Sequence, residues 1–172
     1  MFLSDVTASL TNLIFAENYI EVYPETEVYG AGAALLANED TNASIVNCTF
    51  INNQPTGIIP AGGAISIESG ELKIINTILW GNQATDGPQL YVNPDSIATV
   101  LVYSSNIDQV GFGSNGNIRQ NPMLDSDYHL ITGSPCIDKG ELSNAPDIDI
   151  DGDTRPQGLL PDIGADEFLP GS

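Results

Sequence analysis

SIVNCTFINN, residues 44–53, has an earlier counterpart in SLTNLIFAEN at 9–18 and later ones in LKIINTILWGN at 72–82 and, more loosely, TVLVYSSNIDQV at 99–110. Laid over one another, these segments place Leu10, Ile45, Ile74 and Val102 in one column and Phe15, Phe50, Leu79 and Ile107 in another. Between them stand Asn12, Asn47 and Asn76, with Ser104 in the fourth copy, while Asn18, Asn53 and Asn82 close the first three. The steps from Leu10 to Ile45, Ile74 and Val102 are 35, 29 and 28 residues. Self-similarity at a period of this size is the mark of a solenoid.

A second series keeps the same phase. YGAGAALL (29–36), PAGGAISI (60–67) and GPQLYV (87–92) each lie upstream of the next Asn-rich segment, so every repeat holds at least two strand-like runs. A unit this short cannot bury its own apolar face and has to stack on its neighbours. In a parallel stack like lies over like at about 4.8 Å. Aligned aliphatic and aromatic side chains then form internal columns, and aligned asparagines can bond along a ladder. Asn also tolerates the left-handed backbone of a sharp corner, and the Gly-Gly-Ala phrases suit tight bends or close approach of successive turns. The expected fold is all-β: a right-handed parallel β-helix of about four coils over residues 1–110. Its structural ladder is expected at Asn12, Asn47, Asn76, Phe15, Phe50 and Leu79. A leucine-rich repeat is the rival, because Leu10-x-x-Leu13-x-Phe15-x-x-Asn18 fits its template. Its return path would be helical or leucine-rich, whereas GGAISIESGE and GPQLYVNPDS are glycine-rich, β-branched and turn-like.

The charge is lopsided: 23 acidic residues stand against Lys73, Arg119, Lys139 and Arg155, for a net charge of −19. Nucleic acid is excluded as a partner because phosphate binding needs clustered Lys and Arg, and anionic membrane surfaces and polyanionic glycans are disfavoured by long-range repulsion. No segment approaches the roughly 20 apolar residues of a membrane span. MFLSDVTASL lacks the basic start and apolar run of a signal peptide and reads as mid-repeat, so a fragment or a mature domain with Met1 added is expected. Cys48 and Cys136 are too few for a disulfide scaffold and are expected as small buried hydrophobes.

After residue 110 the rhythm breaks into Gly, Asn and Pro-rich sequence, and residues 111–172 are expected to form an irregular C-terminal cap continuous with the coils, because a last rung otherwise exposes its edge. GNIRQNPML (116–124), DYHLITGSPCIDKG (127–140) and DIDIDGDTRPQGLLPDIGADEF (147–168) together resemble the carboxy-terminal region of secreted bacterial β-helix proteins of the choice-of-anchor Q group. Upstream, Gly-Gly-Ala-Ile and Phe-x-x-Asn resemble the repeats of polymorphic membrane protein autotransporters. The resemblance implies an extracellular or cell-surface β-helix secreted by a bacterium, with an anchor beyond the family region, and it implies no catalytic residues.

Asp147, Asp149, Asp151 and Asp153 alternate with Ile148, Ile150 and Gly152. Alternation in an extended segment would set the carboxylates on one side, where they could converge on Ca²⁺, with Asp162 or Asp166 assisting. An EF-hand fails, since its twelfth position is Gly158. The bland reading is a turn in which Asp side chains accept backbone amides and Arg155 supplies an ion pair. His129, the single histidine, is expected as a packed or hydrogen-bonded cap residue. Arg119 and Lys139 are expected to pair with local acids, and Trp80 to sit in the core or a crevice.

Three functions remain: building block, binding module and enzyme. A non-catalytic surface β-helix in adhesion or extracellular structure is the expectation. A self-associating building block follows from a first rung at residues 2–8, and a glycan or surface protein could meet Tyr19, Tyr23 and Tyr29 beside the loop 23–30. A polysaccharide-degrading enzyme is the alternative. A hydrolase of neutral glycans using two carboxylates fits better than a lyase, which needs cations this chain lacks, yet Asp86, Asp95 and Asp108 sit in no recurring phrase.

Overall fold

The computed structural model describes residues 1–21, 32–56 and 61–171. The loop 23–30, with Tyr23 and Tyr29, lies outside the described residues. The first coil holds β1 (Phe2–Ser4), β2 (Thr7–Thr11), β3 (Ile14–Ala16) and β4 (Tyr19–Glu21). The second holds β5 (Leu35–Asn38), β6 (Asn42–Val46), β7 (Thr49–Ile51) and β8 (Gln54–Thr56). The third has β9 (Ile65–Ile67), β10 (Glu71–Ile75) and β11 (Ile78–Trp80), and the fourth β12 (Leu90–Val92), β13 (Thr99–Tyr103) and β14 (Asn106–Ile107). Each strand pairs in parallel with its counterpart one coil away, giving sheets ordered β1-β5-β9-β12, β2-β6-β10-β13, β3-β7-β11-β14 and β4-β8. This is a parallel β-helix of four coils. No helix occurs among the described residues, and the return segments are strands, which removes the leucine-rich repeat.

The register is the one the columns demand. Leu10 pairs with Ile45, Ile45 with Ile74 and Ile74 with Val102. Phe15 pairs with Phe50, Phe50 with Leu79 and Leu79 with Ile107. The Phe15 and Phe50 rings stack with centroids 4.6 Å apart, the spacing of the strands themselves. Alternation explains the strands: in β10, Leu72 and Ile74 turn inward while Lys73 turns out to pair with Glu71 at 2.9 Å. The Gly-rich phrases fill a corner where successive turns touch. Gly62 has φ of 74°, and a side chain on Gly63 would run into the carbonyl of Pro88.

The two asparagine columns have different structures. Asn12, Asn47, Asn76 and Ser104 occupy one left-handed corner, with φ of 52°, 47°, 48° and 44°. The inner ladder is the other column: Asn18 Nδ2 donates to Asn53 Oδ1 at 2.8 Å, and Asn53 Nδ2 to Asn82 Oδ1 at 2.8 Å. Beside it Cys48 N donates to Thr77 Oγ1 and Thr77 N to Ser105 Oγ, a second internal polar column. Both cysteines are free and buried, and burial pushes their thiols up to about 12 for Cys48 and about 11 for Cys136.

The region after residue 110 divides its labour. Residues 109–120 lie over the fourth coil: Gln109 Oε1 accepts the amides of Gln89 and Leu90, Ser105 N donates to Asn117 Oδ1, and Ile107 N donates to Ile118 O. The remainder turns back along the flank, where it covers the outward side of β11 and β7. Asn76 Nδ2 donates to Glu141 O, Asn47 Nδ2 to Asp162 O and Gly164 O, and Asn12 Nδ2 to Ile148 O. The tail thus binds three coils in turn, and Ile78, Leu130, Cys136 and Ile163 form a second small core beneath it, with Trp80 at its edge.

Candidate functional site

The Asp run does not behave as an extended strand. Asp149 is 3% exposed while Ile148 is 51% exposed, the reverse of apolar-in alternation. The reason is a turn. Asp149 Oδ1 accepts the amides of Asp151 and Asp153, both at 2.9 Å, its Oδ2 accepts Glu167 N, and its own amide donates to Asp153 O. A buried carboxylate that satisfies three amides is stabilised without a cation. Asp147 is exposed, and its carbonyl accepts Arg155 N.

The same turn occurs a second time, built on Asp125. Its Oδ1 accepts the amides of Asp127 and His129 at 2.9 and 3.0 Å, and its amide donates to His129 O. Both turns carry a positive φ at their fourth residue, Tyr128 at 70° and Gly152 at 93°. Each is closed by an antiparallel bridge, Leu124 to Leu130 in one and Ile148 to Thr154 in the other. The sequences DSDYH (125–129) and DIDGD (149–153) are therefore two copies of one loop.

The two loops face each other across a cleft of about 360 Å³. His129 Nε2 lies 3.0 Å from Asp151 Oδ2, and His129 Nδ1 lies 3.8 Å from Asp125 Oδ2. Asp166 closes the floor, its Oδ2 accepting Leu130 N at 2.7 Å. Donor atoms of His129, Asp151 and Asp166 all fall within 4.8 Å of one another. Asp151 thus joins this group. Asp153 lines the same cleft, and Asp147 and Asp149 belong to neither the cleft lining nor the donor set.

Electrostatics follow from the crowding. Burial works against a charged His129, yet Asp166, Asp151 and Asp125 together carry its pKa above the ordinary value. Burial raises Asp166, against the pull of the Leu130 amide and His129. The amide of His129 holds Asp125 below the usual carboxylate range, helped by that of Asp127. Buried Arg155 is spent on Glu167 at 3.0 Å and on the carbonyls of Asp162 and Ala165. Of the other expected pairs, Arg119 meets Asp108 at 3.0 Å, while exposed Lys139 pairs with none of the described acids.

The sequence reading assigned His129 only a packed or hydrogen-bonded place and missed the grouping with Asp125 and Asp166. A signal was present: the phrase Asp-x-Asp-x-(His or Asp) occurs at 125 and again at 149. Family models, curated proteins and solved structures offer no match to this chain.

Proposed function

We infer that the protein is a non-catalytic extracellular or cell-surface β-helix of bacterial origin that serves adhesion or extracellular structure, and that it assembles through its first coil. What carries this reading is the asymmetry of the two ends. The fourth coil is covered by residues 109–120, whereas among the described residues β1, β2, β3 and β4 each have a sheet neighbour on one side only. Phe2, at 61% exposure, and Tyr19 stand out from that coil. An uncovered parallel edge is a template for another strand. When a second copy meets that edge first coil to first coil about a two-fold axis, the contact closes as a dimer. The charge of −19 suits a solvated outer surface.

Light scattering on the eluting protein over a wide concentration range, at about 0.15 M salt where charge repulsion reaches only about 8 Å, tests the reading. A monomer–dimer equilibrium that Phe2→Lys weakens is expected. A monomer at every concentration sinks the assembly. The alternative is a polysaccharide-binding or glycan-hydrolysing β-helix, which draws on the cleft carboxylates Asp125, Asp151 and Asp166. Turnover of a neutral glycan that is lost in Asp151→Asn would replace the first reading with this one.

A further inference from the structure

We propose that the cleft between the twin turns binds a divalent cation of the zinc class through His129, Asp151 and Asp166. The argument starts from donor type. Calcium takes six to eight oxygens, and its sites are built from carboxylates, carbonyls and water. Here a ring nitrogen stands with two carboxylates, a set that suits borderline transition cations. Three protein donors within 4.8 Å of one another leave a fourth, solvent-facing position of the kind that open zinc sites keep. Two carboxylates and a neutral imidazole balance a doubly charged cation.

The surroundings supply what such a site needs. Asp166 is 8% exposed, and among the described residues the only hydrogen bond to its carboxylate comes from the Leu130 amide. A carboxylate so buried, with one amide bond, leans on His129 for compensation, and a cation held between the two would serve the same end. Asp125 lies behind the ring nitrogen that faces away from Asp151, at 3.8 Å. At 3.8 Å this is an ion-pair distance, and a small closure on metal binding would bring Asp125 into the place of the outer carboxylate that orients metal-binding histidines. The two donors that come from turns are held by backbone geometry, because the Asp125 and Asp149 carboxylates each brace their own loop. The 360 Å³ opening gives an entry path.

The test is calorimetric titration of the tag-free full chain with zinc chloride in metal-free buffer, with calcium and magnesium chloride as comparison arms. One saturable zinc per chain is expected, and His129→Ala should weaken it more than about 100-fold. The change Asp125→Asn should cost about 10- to 100-fold, while Asp108→Asn, in neither the cleft lining nor the donor set, should leave affinity unchanged. Cobalt in place of zinc should give visible absorption of a four-coordinate site that His129→Ala abolishes. His129 is partly exposed at the cleft rim, so its alanine variant is expected to fold, and an unchanged melting temperature without metal verifies this. Absence of zinc binding overturns the proposal, as does zinc binding that survives His129→Ala. Calcium binding as tight as zinc and indifferent to His129→Ala would also overturn it, since it would mark general attraction to an acidic chain.

Discussion

Asn47 is where coil and tail meet. Its backbone sits in the left-handed region at φ of 47°, its Nδ2 donates to Asp162 O and Gly164 O, and its Oδ1 accepts Asn76 Nδ2 at 3.2 Å. Asn47→Ala should lose three hydrogen bonds at about 1 kcal/mol each and add about 1 kcal/mol for a Cβ-bearing residue without a local polar contact in that conformation. Asn12 holds the same corner one coil earlier but gives a single bond, to Ile148 O. Urea unfolding should therefore show a loss of roughly 3–4 kcal/mol for Asn47→Ala and roughly 1–2 kcal/mol for Asn12→Ala. Equal losses would deny that the tail is clamped at Asn47. The spacing of these asparagines was legible in the sequence, and so was their suitability for a corner. Their partners were not, because the direction of a side chain follows from the backbone angles at its corner. The column at 18, 53 and 82 turns inward to form a continuous ladder, while the one at 12, 47 and 76 reaches the tail and keeps one ladder bond, from Asn76 to Asn47.

The tail shows what periodicity does not reach at the level of elements. The sequence suggests a cap over residues 111–172, and residues 109–120 add a partial rung above the fourth coil. The path of the rest along the flank was hidden, since its contacts run between asparagine side chains and carbonyls more than 60 residues away and backbone acceptors leave no trace in residue identity. The Asp run was read with a strand period, although a buried carboxylate can drive a turn that places isoleucine outside. Asp162 anchors this element: its Oδ1 accepts Asp138 N and its Oδ2 accepts Phe168 N. Burial outweighs these two bonds and raises its pKa from 3.8 to about 6. Between those values the folded chain holds a proton that the unfolded chain has released. Stability from this group is therefore complete below the unfolded value and lost as pH rises through about 6. Unfolding measured from acid to neutral pH should show wild-type stability falling by roughly 2 kcal/mol more than that of Asp162→Asn across this window. The variant, with one acceptor fewer, should be weaker throughout but flatter. Parallel slopes would show that Asp162 ionises freely in the fold.

At the scale of the whole molecule, the count of coils and the register of the Asn-rich segments could be read beforehand, because parallel in-register stacking forces the same residue type onto the same position in every coil. The cleft obeys no such rule and assembles from two turns of the irregular region. The same stacking sets how charge acts. The chain sets 23 acidic residues against four basic ones; folding gathers the described carboxylates onto stacked coils and their cap, and an unfolded chain spreads them apart, so repulsion opposes the folded state. Two of the ion pairs, Lys73 with Glu71 and Arg119 with Asp108, lie largely in solvent, and such pairs add little for salt to remove. The buried Arg155–Glu167 pair is shielded from it. Repulsion is thus the term that salt changes most. Raising sodium chloride from about 0.01 M to about 0.15 M shortens the range of charge interaction from about 30 Å to about 8 Å, and the melting temperature should rise by several degrees, on the order of 1 kcal/mol or more. Beyond that concentration the gain should level off, because neighbouring carboxylates closer than the screening length are little affected. A melting temperature that falls with salt would mean that favourable ion pairing, not crowding of like charge, governs this fold.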